Sequence, residues 1–341
     1  MIRVGCLGGG QLGMMLAEAG KNIGIELVLY DENPDACGGK VTELFVGKFN
    51  DNIELSNFAN NADVFTYEFE NVPTFAVETV SKNRPVYPSL QALETSQDRA
   101  IEKNLFRELN IPVPDFYLID SEEELNAAIE KTGTPAVLKT RRMGYDGKGQ
   151  VIIQLNDNPI EKLNELGGKN LILESFVTFE REVSQISVRD SKQNIIHYPL
   201  VENVHEKGIL QTSIAPAPKS EEIAKQSQKY AQQILEKLNY VGVLTIELFE
   251  KEGQLIANEM APRVHNSGHW TIEGAKTSQF ENHLRAIMGM QLGPTDAIGN
   301  CKMTNFIGTV PDPLPYGFVH LYGKEPRPGR KLGHVTRVSP V

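Results

Sequence analysis

The sequence predicts an α/β fold, with a parallel sheet in the N-terminal part and α+β structure in the remainder. Short apolar runs at IRVGCLGG, ELVLYD and DVFTYEF surround a stretch with helical spacing, QLGMMLAEAGKNIG. This alternation of strand and helix is typical of βαβ units and therefore of parallel pairing. The pattern breaks at RPVYPS, and from residue 111 onward strands and helices follow in a mixed order.

The later elements are predicted in chain order from the same signals. A polar helix is expected at SQDRAIEKNLFREL, followed by a smaller unit with a helix at SEEELNAAIEKTG and strands at AVLKT, QVIIQ and NLILESFV. The next region has strands at REVSQISVRD, NIIHYPLVEN and ILQTSIAP and a long helix at EEIAKQSQKYAQQILEKLN. A hairpin follows, and the last predicted strands lie around KMTNFIG and GFVHLYG.

Composition restricts the class of protein. The 341 residues are 40% hydrophobic and 23% charged, which is ordinary for a soluble globular chain. No apolar run has the length of a membrane span, and the first residues are predicted to form a strand rather than a signal peptide. A formal charge of −10 disfavours nucleic acid as a partner. Three scattered cysteines favour a cytoplasmic location.

Two acids in the late hairpin indicate a metal site. The segment Lys251-Glu252-Gly253 is predicted to be a three-residue loop, which places Glu259 opposite Thr245 and one diagonal step from Glu247. The two carboxylates would then share a face about 7–8 Å apart. With no obvious basic partner, they suit Mg²⁺, and Mn²⁺ is a possible substitute. A solvated polar edge is the alternative interpretation.

Two glycine-rich segments suggest that anions are bound. Gly8-x-Gly10-x-x-Gly13 follows a strand and opens a helix, and Asp31 ends the next strand, as in dinucleotide-binding folds. We interpret it as an anion site whose ligand is open, with a tight turn as the alternative. Lys139 ends the run PAVLK and precedes MGYDGKGQ, a combination that suits a phosphate clamp, although a plain turn is equally compatible.

The order of these motifs resembles the ATP-grasp superfamily of carboxylate–amine ligases. The strings GGGQLGMM, TYEFENVP, KTRRMGYDGKGQ, NEMAPRVHNSGHWT and YGKEPRPGRKLGH are similar to the N5-carboxyaminoimidazole ribonucleotide synthase family of purine biosynthesis. The resemblance implies an ATP-grasp fold preceded by a Rossmann-like preATP-grasp domain. The expected boundaries are 1–97 for that domain, 98–178 for the lid, and 179–341 for the C-terminal ATP-grasp domain with its extension.

The resemblance also implies a set of nucleotide contacts. Glu247 and Glu259 would hold magnesium. The ATP-binding residues by match are Arg99, Lys139, Gly144, Tyr145, Asp146, Gly147, Lys148, Gly149, Gln150, Glu174, Ser175, Phe176, Val177, Glu182, His205, Asn258 and Glu259.

The implied reaction carboxylates 5-aminoimidazole ribonucleotide with bicarbonate and ATP, through carboxyphosphate. Arg263 and His265 are expected to hold the bicarbonate-derived group, with Lys139 as a further catalytic residue. The expected ribonucleotide contacts are Gly10, Gln11, Leu12, Tyr67, Glu68, Asn266, Lys324, Arg330 and Lys331. Family resemblance further suggests a homodimer and a hand-off of the product to a mutase, with neither NAD nor biotin as a cofactor.

Three alternatives remain at the level of sequence. Another ATP-grasp ligase, such as a formate-dependent glycinamide ribonucleotide transformylase or a biotin carboxylase, would share the nucleotide residues. An NAD(P)-dependent oxidoreductase would use the loop from Gly8 to Gly13 but would leave the acidic hairpin unexplained. A non-catalytic nucleotide-binding subunit would be expected to lack the acids or Lys139, all of which are present.

Overall fold

The N-terminal part forms the predicted parallel sheet. A computed structural model of the chain describes residues 2–144 and 147–340. The sheet has the order β3-β2-β1-β4 and is parallel throughout. Its strands and helices are β1 (Arg3–Leu7), α1 (Gln11–Asn22), β2 (Glu26–Asp31), β3 (Glu43–Val46), α2 (Asn52–Ala59), β4 (Val64–Tyr67) and α3 (Thr74–Ser81). The short strand β3 was not predicted from the sequence.

The polar helix expected after this sheet is in fact two helices, α4 (Leu90–Gln97) and α5 (Arg99–Glu108). Asp98 separates them because its backbone is extended (φ −125°, ψ 110°) and its side chain accepts a hydrogen bond from the Ala100 N–H. An aspartate in this position satisfies a free N–H at the helix start. The prediction of one continuous helix was therefore wrong.

The middle unit is a four-stranded antiparallel sheet with the order β5-β8-β6-β7. Leu125, Leu138 and Leu173 are fully buried in its own small core. Its elements are β5 (Phe116–Ile119), α6 (Glu122–Thr132), β6 (Ala136–Thr140), β7 (Gln150–Ile153), α7 (Pro159–Glu165) and β8 (Leu171–Ser175).

The remainder of the chain builds a nine-stranded sheet with the main order β14-β13-β9-β11-β12-β15-β17-β16, while β10 pairs with β9. Its strands are β9 (Arg181–Arg189), β10 (Ile195–His197), β11 (Val201–Glu206), β12 (Ile209–Ala215), β13 (Gly242–Lys251), β14 (Gln254–Ala261), β15 (Asn300–Ile307), β16 (Phe318–Leu321) and β17 (Lys331–Ser339). Its helices are α8 (Glu221–Lys237), α9 (Thr271–Gly274) and α10 (Gln279–Ile287). The sequence did not predict β17, and it joined β10 and β11 into one strand across Pro199.

The first and last units share one hydrophobic core. Leu16 of α1 and Leu284 of α10 are fully buried in the same cluster, together with Val188 of β9. This packing fixes the end of the parallel sheet against the large sheet. Among the described residues, no helix has both the length and the apolar character needed to cross a membrane.

The loop of the acidic hairpin is one residue shorter than predicted. Lys251 pairs with Gln254, which leaves only Glu252 and Gly253 between the strands. Both loop residues have positive φ, 52° and 70°, the conformation of a tight two-residue hairpin turn. The predicted three-residue loop was therefore wrong.

A bulge in β14 changes the pairing of the two acids. Glu247 pairs directly with Glu259, whereas Leu248 pairs with Ala257, so Asn258 is the extra residue of β14. The predicted pairing of Glu259 with Thr245 was wrong, because Thr245 lies opposite Ala261. The acids nevertheless share one face, as expected, since directly opposed residues of a sheet point to the same side.

Candidate active site

A cavity of about 820 Å³ lies where the three sheets meet, a volume suited to a substrate of nucleotide size. Each sheet contributes to its lining. The predicted site residues among those that line it are Gly10, Gln11, Leu12, Glu68, Arg99, Lys139, Gly144, Gly147, Lys148, Gln150, Glu174, Ser175, Phe176, Val177, Glu182, His205, Glu247, Asn258, Glu259, Arg263, His265, Asn266, Lys324 and Lys331.

The acidic hairpin presents a set of oxygen atoms to this cavity. Glu247 and Glu259 are a direct cross-strand pair, and Asn258 projects from the bulge beside them. The Asn258 Oδ1 atom is buried and has no hydrogen-bond partner among the described residues. A buried amide oxygen without a donor is costly, and a cation would satisfy it. Two carboxylates and an amide fit a hard divalent ion such as Mg²⁺.

Both acids also contact basic side chains, contrary to the expectation of no basic partner. Arg99 Nη1 lies 2.7 Å from Glu259 Oε2, and His265 Nε2 lies 3.1 Å from Glu247 Oε1. Burial alone would raise the pKa of Glu247, but the hydrogen bond from His265 and the positive charges of His265, His205 and Lys331 together outweigh burial and lower that pKa. Glu247 is therefore ionised at neutral pH, as a metal ligand must be.

The lysine of the middle sheet is held by a buried carboxylate. Lys139 Nζ donates to Glu174 Oε2 at 2.8 Å, and Lys103 Nζ lies 3.3 Å from Glu174 Oε1. Burial by itself would raise the pKa of Glu174, but the two lysines outweigh it and lower the pKa to about 2. The Glu174 side chain thus orders the cationic end of the cavity, and the following backbone at Ser175–Val177 lines its wall.

Aromatic and polar groups lie further along the same wall. Phe179 and Phe249 stack with their ring centroids 4.7 Å apart, and both line the cavity. Glu182 Oε2 lies 2.6 Å from His205 Nδ1. An apolar platform beside a carboxylate provides a surface for a base and an acceptor for a ribose hydroxyl.

The glycine flap is described in part. Tyr145 and Asp146 lie outside the described residues. Gly147 has φ +75°, a conformation that L side chains rarely adopt, and it lines the cavity. Gly149 also has positive φ, +71°, but this predicted ATP contact does not line the cavity; it packs against Thr140, whose Oγ1 would lie 2.6 Å from a Cβ at this position.

The first glycine loop binds carboxylates of the protein itself. Glu68 Oε1 accepts the Gly10 N–H at 2.6 Å, and Oε2 accepts the N–H groups of Leu12 and Gly13 at 3.0 and 2.9 Å. Asp31 Oδ2 accepts the Gly9 N–H at 2.7 Å. The start of α1 thus receives a carboxylate of the protein itself, Glu68, and the binding of an external anion by this loop stays a prediction.

Arg263 and His265 follow β14 and face the cavity next to the acids. Arg263 donates to the Glu70 carboxylate and, at 3.0 Å, to the Val264 carbonyl. These bonds use two of the five N–H groups of a guanidinium. Burial would lower the pKa of Arg263, but the attraction and hydrogen bond to Glu70, together with the charges of Glu68 and Glu247, outweigh burial and raise that pKa. A permanent cation thus lies beside the carboxylate pair.

Two of the residues predicted to contact the ribonucleotide, Tyr67 and Arg330, do not line the cavity. Tyr67 is fully buried in the N-terminal core and does not line the cavity, because β4 turns its side chain away from the sheet end. Arg330 lies outside the lining and donates to the Glu325 carbonyl at 3.1 Å. Lys324, in contrast, reaches the cavity and donates to Gln11 Oε1, linking the late basic segment to the start of α1.

Sequence reasoning missed several residues of the site. Lys103 is fully buried and donates to the Asn258 carbonyl at 3.2 Å, which connects α5 to the bulge. It lies four residues after Arg99, so both project from one face of α5, and this spacing was the available signal. Nothing in the local sequence indicated the stacking of Phe179 on Phe249, which depends on the pairing of distant strands.

Models of three domain families match the chain. The ribonucleotide synthetase preATP-grasp domain matches residues 1–97, the ATP-grasp domain residues 104–280, and the phosphoribosylaminoimidazole carboxylase C-terminal domain residues 301–340. The ATP-grasp match alone covers about half of the chain.

Proteins that are similar over nearly the whole chain are named as synthases or synthetases of N5-carboxyaminoimidazole ribonucleotide. The N5-carboxyaminoimidazole ribonucleotide synthase of Pseudomonas aeruginosa is 45% identical, over 98% of this chain and 94% of the relative. A synthetase structure from Thermus thermophilus has a TM-score of 0.94 at 48% identity, covering 98% of this chain and 93% of that one. An Aspergillus clavatus synthase structure, in complex with ADP and 5-aminoimidazole ribonucleotide, has a TM-score of 0.92 at 31% identity, covering 99% and 94%. The chain therefore belongs to the N5-carboxyaminoimidazole ribonucleotide synthase family of ATP-grasp ligases.

Proposed function

We propose that this chain is an ATP-dependent ligase that joins bicarbonate to the amine of 5-aminoimidazole ribonucleotide, forming N5-carboxyaminoimidazole ribonucleotide, ADP and phosphate. The observation that carries the proposal is the convergence of three groups of residues on one cavity. These are the acidic hairpin, the Lys139–Glu174 pair, and the cations Arg263 and Lys324. They correspond to a metal–nucleotide site, a phosphate clamp, and sites for two further anions.

ATP would lie between the middle sheet and the large sheet. Its base would contact the backbone at 175–177 and the Phe179–Phe249 stack, and Glu182 would accept from the ribose. Lys139, Arg99 and the described flap residues would surround the phosphates. Fixed cations stabilise the charge that develops during phosphoryl transfer without reorganising in the reaction.

Glu247, Glu259 and the Asn258 oxygen would hold Mg²⁺, which when bound supplies charge neutralisation at the transferring phosphate. Arg99 contacts Glu259 in this structure and can instead turn its guanidinium towards the phosphates. His265 contacts the other acid, Glu247. These contacts hold the two carboxylates in place before the metal binds.

Bicarbonate would lie against Arg263 and His265. One bicarbonate oxygen attacks the γ-phosphorus of ATP and ADP leaves, giving carboxyphosphate. The amine of the ribonucleotide then attacks the carboxyl carbon of carboxyphosphate, and phosphate leaves. In the alternative route, carboxyphosphate first breaks down to phosphate and carbon dioxide, and the amine attacks the carbon dioxide. Arg263 suits the planar anion because a guanidinium can donate two parallel hydrogen bonds.

The ribonucleotide would occupy the part of the cavity between α1 and the late basic segment. Lys324 and Lys331 line this part and are the donors for its phosphate, and Gly10, Gln11, Leu12 and Asn266 lie beside them. Glu68 is adjacent, but its oxygens already accept three N–H groups. Its contribution to the ribonucleotide is therefore made through its remaining lone pairs.

Two broader expectations belong to the same proposal. The enzyme would work in the cytoplasm as a homodimer. Its carbamate product is chemically labile, so direct transfer to a mutase that uses it is expected. Neither NAD nor biotin has a part in the proposed reaction.

An isotope experiment tests the route through carboxyphosphate. With ¹⁸O-labelled bicarbonate, the oxygen that bridges carbon and phosphorus remains on phosphate when the C–O bond breaks. Phosphate released in the presence of the ribonucleotide should therefore carry one ¹⁸O atom. Unlabelled phosphate would mean that water attacks ATP, and would refute the proposed role of bicarbonate.

A further inference from the structure

A chain of buried polar side chains runs from the ring of His265 across three neighbouring strands. Ser267 Oγ lies 2.8 Å from His265 Nδ1, and Ser184 Oγ of β9 lies 2.8 Å from Ser267 Oγ. Asn203 of β11 donates through Nδ2 to Ser184 Oγ at 2.9 Å. Its Oδ1 accepts from Ser213 Oγ of β12 at 2.8 Å. None of these four side chains belongs to the catalytic scheme above.

The hydrogen bonds that link Asn203, Ser184 and Ser267 all donate towards the ring of His265. The backbone N–H of Ser267 can only donate, and it points to His265 Nδ1 at 3.3 Å. Ser267 Oγ accepts from Ser184, so its own hydrogen is left for Nδ1. Nδ1 is therefore an acceptor, and the neutral ring carries its hydrogen on Nε2. That nitrogen lies 3.1 Å from Glu247 Oε1, where an N–H is required.

The backbone around His265 is fixed independently of this chain. Gln279 Oε1 accepts from the His265 N–H at 3.0 Å, and Gln279 Nε2 donates to the His265 carbonyl at 2.6 Å. Asn266 and Asn305 exchange two amide hydrogen bonds, 3.1 and 2.8 Å long. The serine chain is therefore not needed to hold the main chain. What it controls is the side chain, namely the ring plane of His265 and the position of its hydrogen.

The location of the chain also argues against a purely stabilising role. Ser184, Ser213 and Ser267 are fully buried, and Asn203 is 5% exposed. Hydroxyl groups inside a sheet lose hydration, and a hydrogen bond between them returns little more than the hydration that is lost. Apolar residues would pack at such positions with less cost. A connected and fully satisfied polar network gives orientation instead.

We propose that Ser267, Ser184 and Asn203 are positioning residues that fix the Nε2–H tautomer and the ring plane of His265. With the ring held in this way, its N–H remains on the carboxylate of Glu247, and its edge remains next to Arg263 in the cavity. The effect on turnover rests on the role of His265 in the proposed function. The tautomer itself can be observed without any substrate.

Nuclear magnetic resonance of protein labelled with ¹⁵N at histidine tests the proposal. The His265 signals are assigned as those that disappear in His265→Asn. In the unsubstituted protein they should show the Nε2–H tautomer. In Ser267→Ala they should show a mixture of tautomers, and in Ser267→Thr, which keeps the hydroxyl, the original form should return. Ser184→Ala should give an intermediate result, because it removes the next donor in the chain.

Turnover of the same variants provides the second measurement. Ser267→Ala should lower kcat for ribonucleotide-dependent ADP release by roughly 10–100-fold, the usual effect of removing an orienting partner, with KM for ATP nearly unchanged. The matched control is Ser227→Ala, since Ser227 is a fully buried serine of α8 whose hydroxyl donates to Gln185 Oε1 at 2.7 Å. This control should keep both the His265 spectrum and kcat.

Two results overturn the inference. One is an unchanged His265 spectrum in Ser267→Ala, and the other is a kcat of Ser267→Ala equal to that of Ser227→Ala while His265→Asn is strongly impaired. Normal turnover of His265→Asn would bear on the proposed function and not on this inference. It would refute the proposed catalytic role of His265, and the spectra would still decide whether the serine chain fixes its tautomer.

Discussion

At the scale of single residues, the contacts of Glu247 and Glu259 suit these carboxylates to binding a metal ion. Each carboxylate contacts a basic side chain, and the adjacent Asn258 has a buried oxygen without a hydrogen-bond partner among the described residues. The contact with His265 helps to lower the pKa of Glu247, which keeps this carboxylate charged and able to bind a cation. The residue identities and their shared face were predictable from the sequence. Their partners Arg99 and His265 were not assigned to them, because those contacts depend on how α5 and the turn after β14 pack.

Glu259→Gln should keep the fold but lower turnover by at least ~10²-fold, because it removes one charge from the proposed magnesium pair. Steady-state ADP release at saturating magnesium measures the effect. Glu252→Gln is the matched control, since Glu252 is exposed in the turn of the same hairpin. Near-normal turnover of Glu259→Gln would show that this glutamate is structural.

Arg263→Lys should lower turnover by about 10–10³-fold, because lysine keeps the charge but loses the planar donor pair. The affinity for ATP, measured by calorimetry without bicarbonate, should hardly change. Arg285→Lys serves as the control, because Arg285 pairs with Glu281 on α10 and does not line the cavity. Weaker ATP binding with unaltered bicarbonate dependence would assign Arg263 to the nucleotide instead.

At the scale of elements, Glu68, which directly follows β4, accepts hydrogen bonds from the N–H groups at the start of α1. Glu68→Gln should reduce the free energy of unfolding by about 1–3 kcal/mol, because an amide has one acceptor oxygen where the carboxylate satisfies three N–H groups. Urea unfolding measures this change. The control is Glu78→Gln, on the exposed face of α3. Equal stability of the two variants would contradict the assignment of Glu68 as the anion of the glycine loop.

The Lys103–Glu174–Lys139 cluster joins α5, β6 and β8 and gives a pH-dependent contribution to stability. The folded pKa of Glu174, about 2, is below the value of about 4.3 for an unfolded glutamate. The carboxylate therefore stabilises the fold fully above that unfolded value, and its contribution is lost as the pH falls towards 2.

The difference in unfolding free energy between the unsubstituted protein and Glu174→Gln should therefore be constant at neutral pH. It should shrink as the pH falls from about 4.3 to about 2. Urea unfolding across this window is the measurement. A difference that does not depend on pH would mean that Glu174 has no depressed pKa in the folded protein.

The hairpin illustrates where element prediction from sequence stops. The strand-like runs on both sides of Lys251-Glu252-Gly253 predicted β13 and β14, but the predicted loop was one residue too long and the bulge at Asn258 was missed. The two errors each shift the register by one residue in the same direction, so Glu259 lies opposite Glu247 instead of Thr245, and a shift of two residues leaves the acids on the same face. The bulge has no local sequence signal here, and the Asn258 carbonyl accepts a hydrogen bond from Lys103 on a different element.

At the scale of the whole molecule, three sheets surround one cavity, and residues from all of them line it. The order of motifs predicted which side chains converge, because the ATP-grasp resemblance carried their relative placement. Local patterns alone did not. The burial of Tyr67 and the position of Arg330 outside the lining depend on tertiary packing and were wrongly predicted. The boundaries at 97 and 178 stay a prediction.

The central claim is that this cavity couples ATP cleavage to carboxylation of one particular amine. The most direct test is the rate of ADP release with ATP, magnesium and bicarbonate, measured with and without 5-aminoimidazole ribonucleotide. The account predicts a low rate without the ribonucleotide, a strong increase with it, and one carboxylated product for each ADP. A rate that is indifferent to the ribonucleotide but rises with glycinamide ribonucleotide and formate, or with biotin, would contradict it.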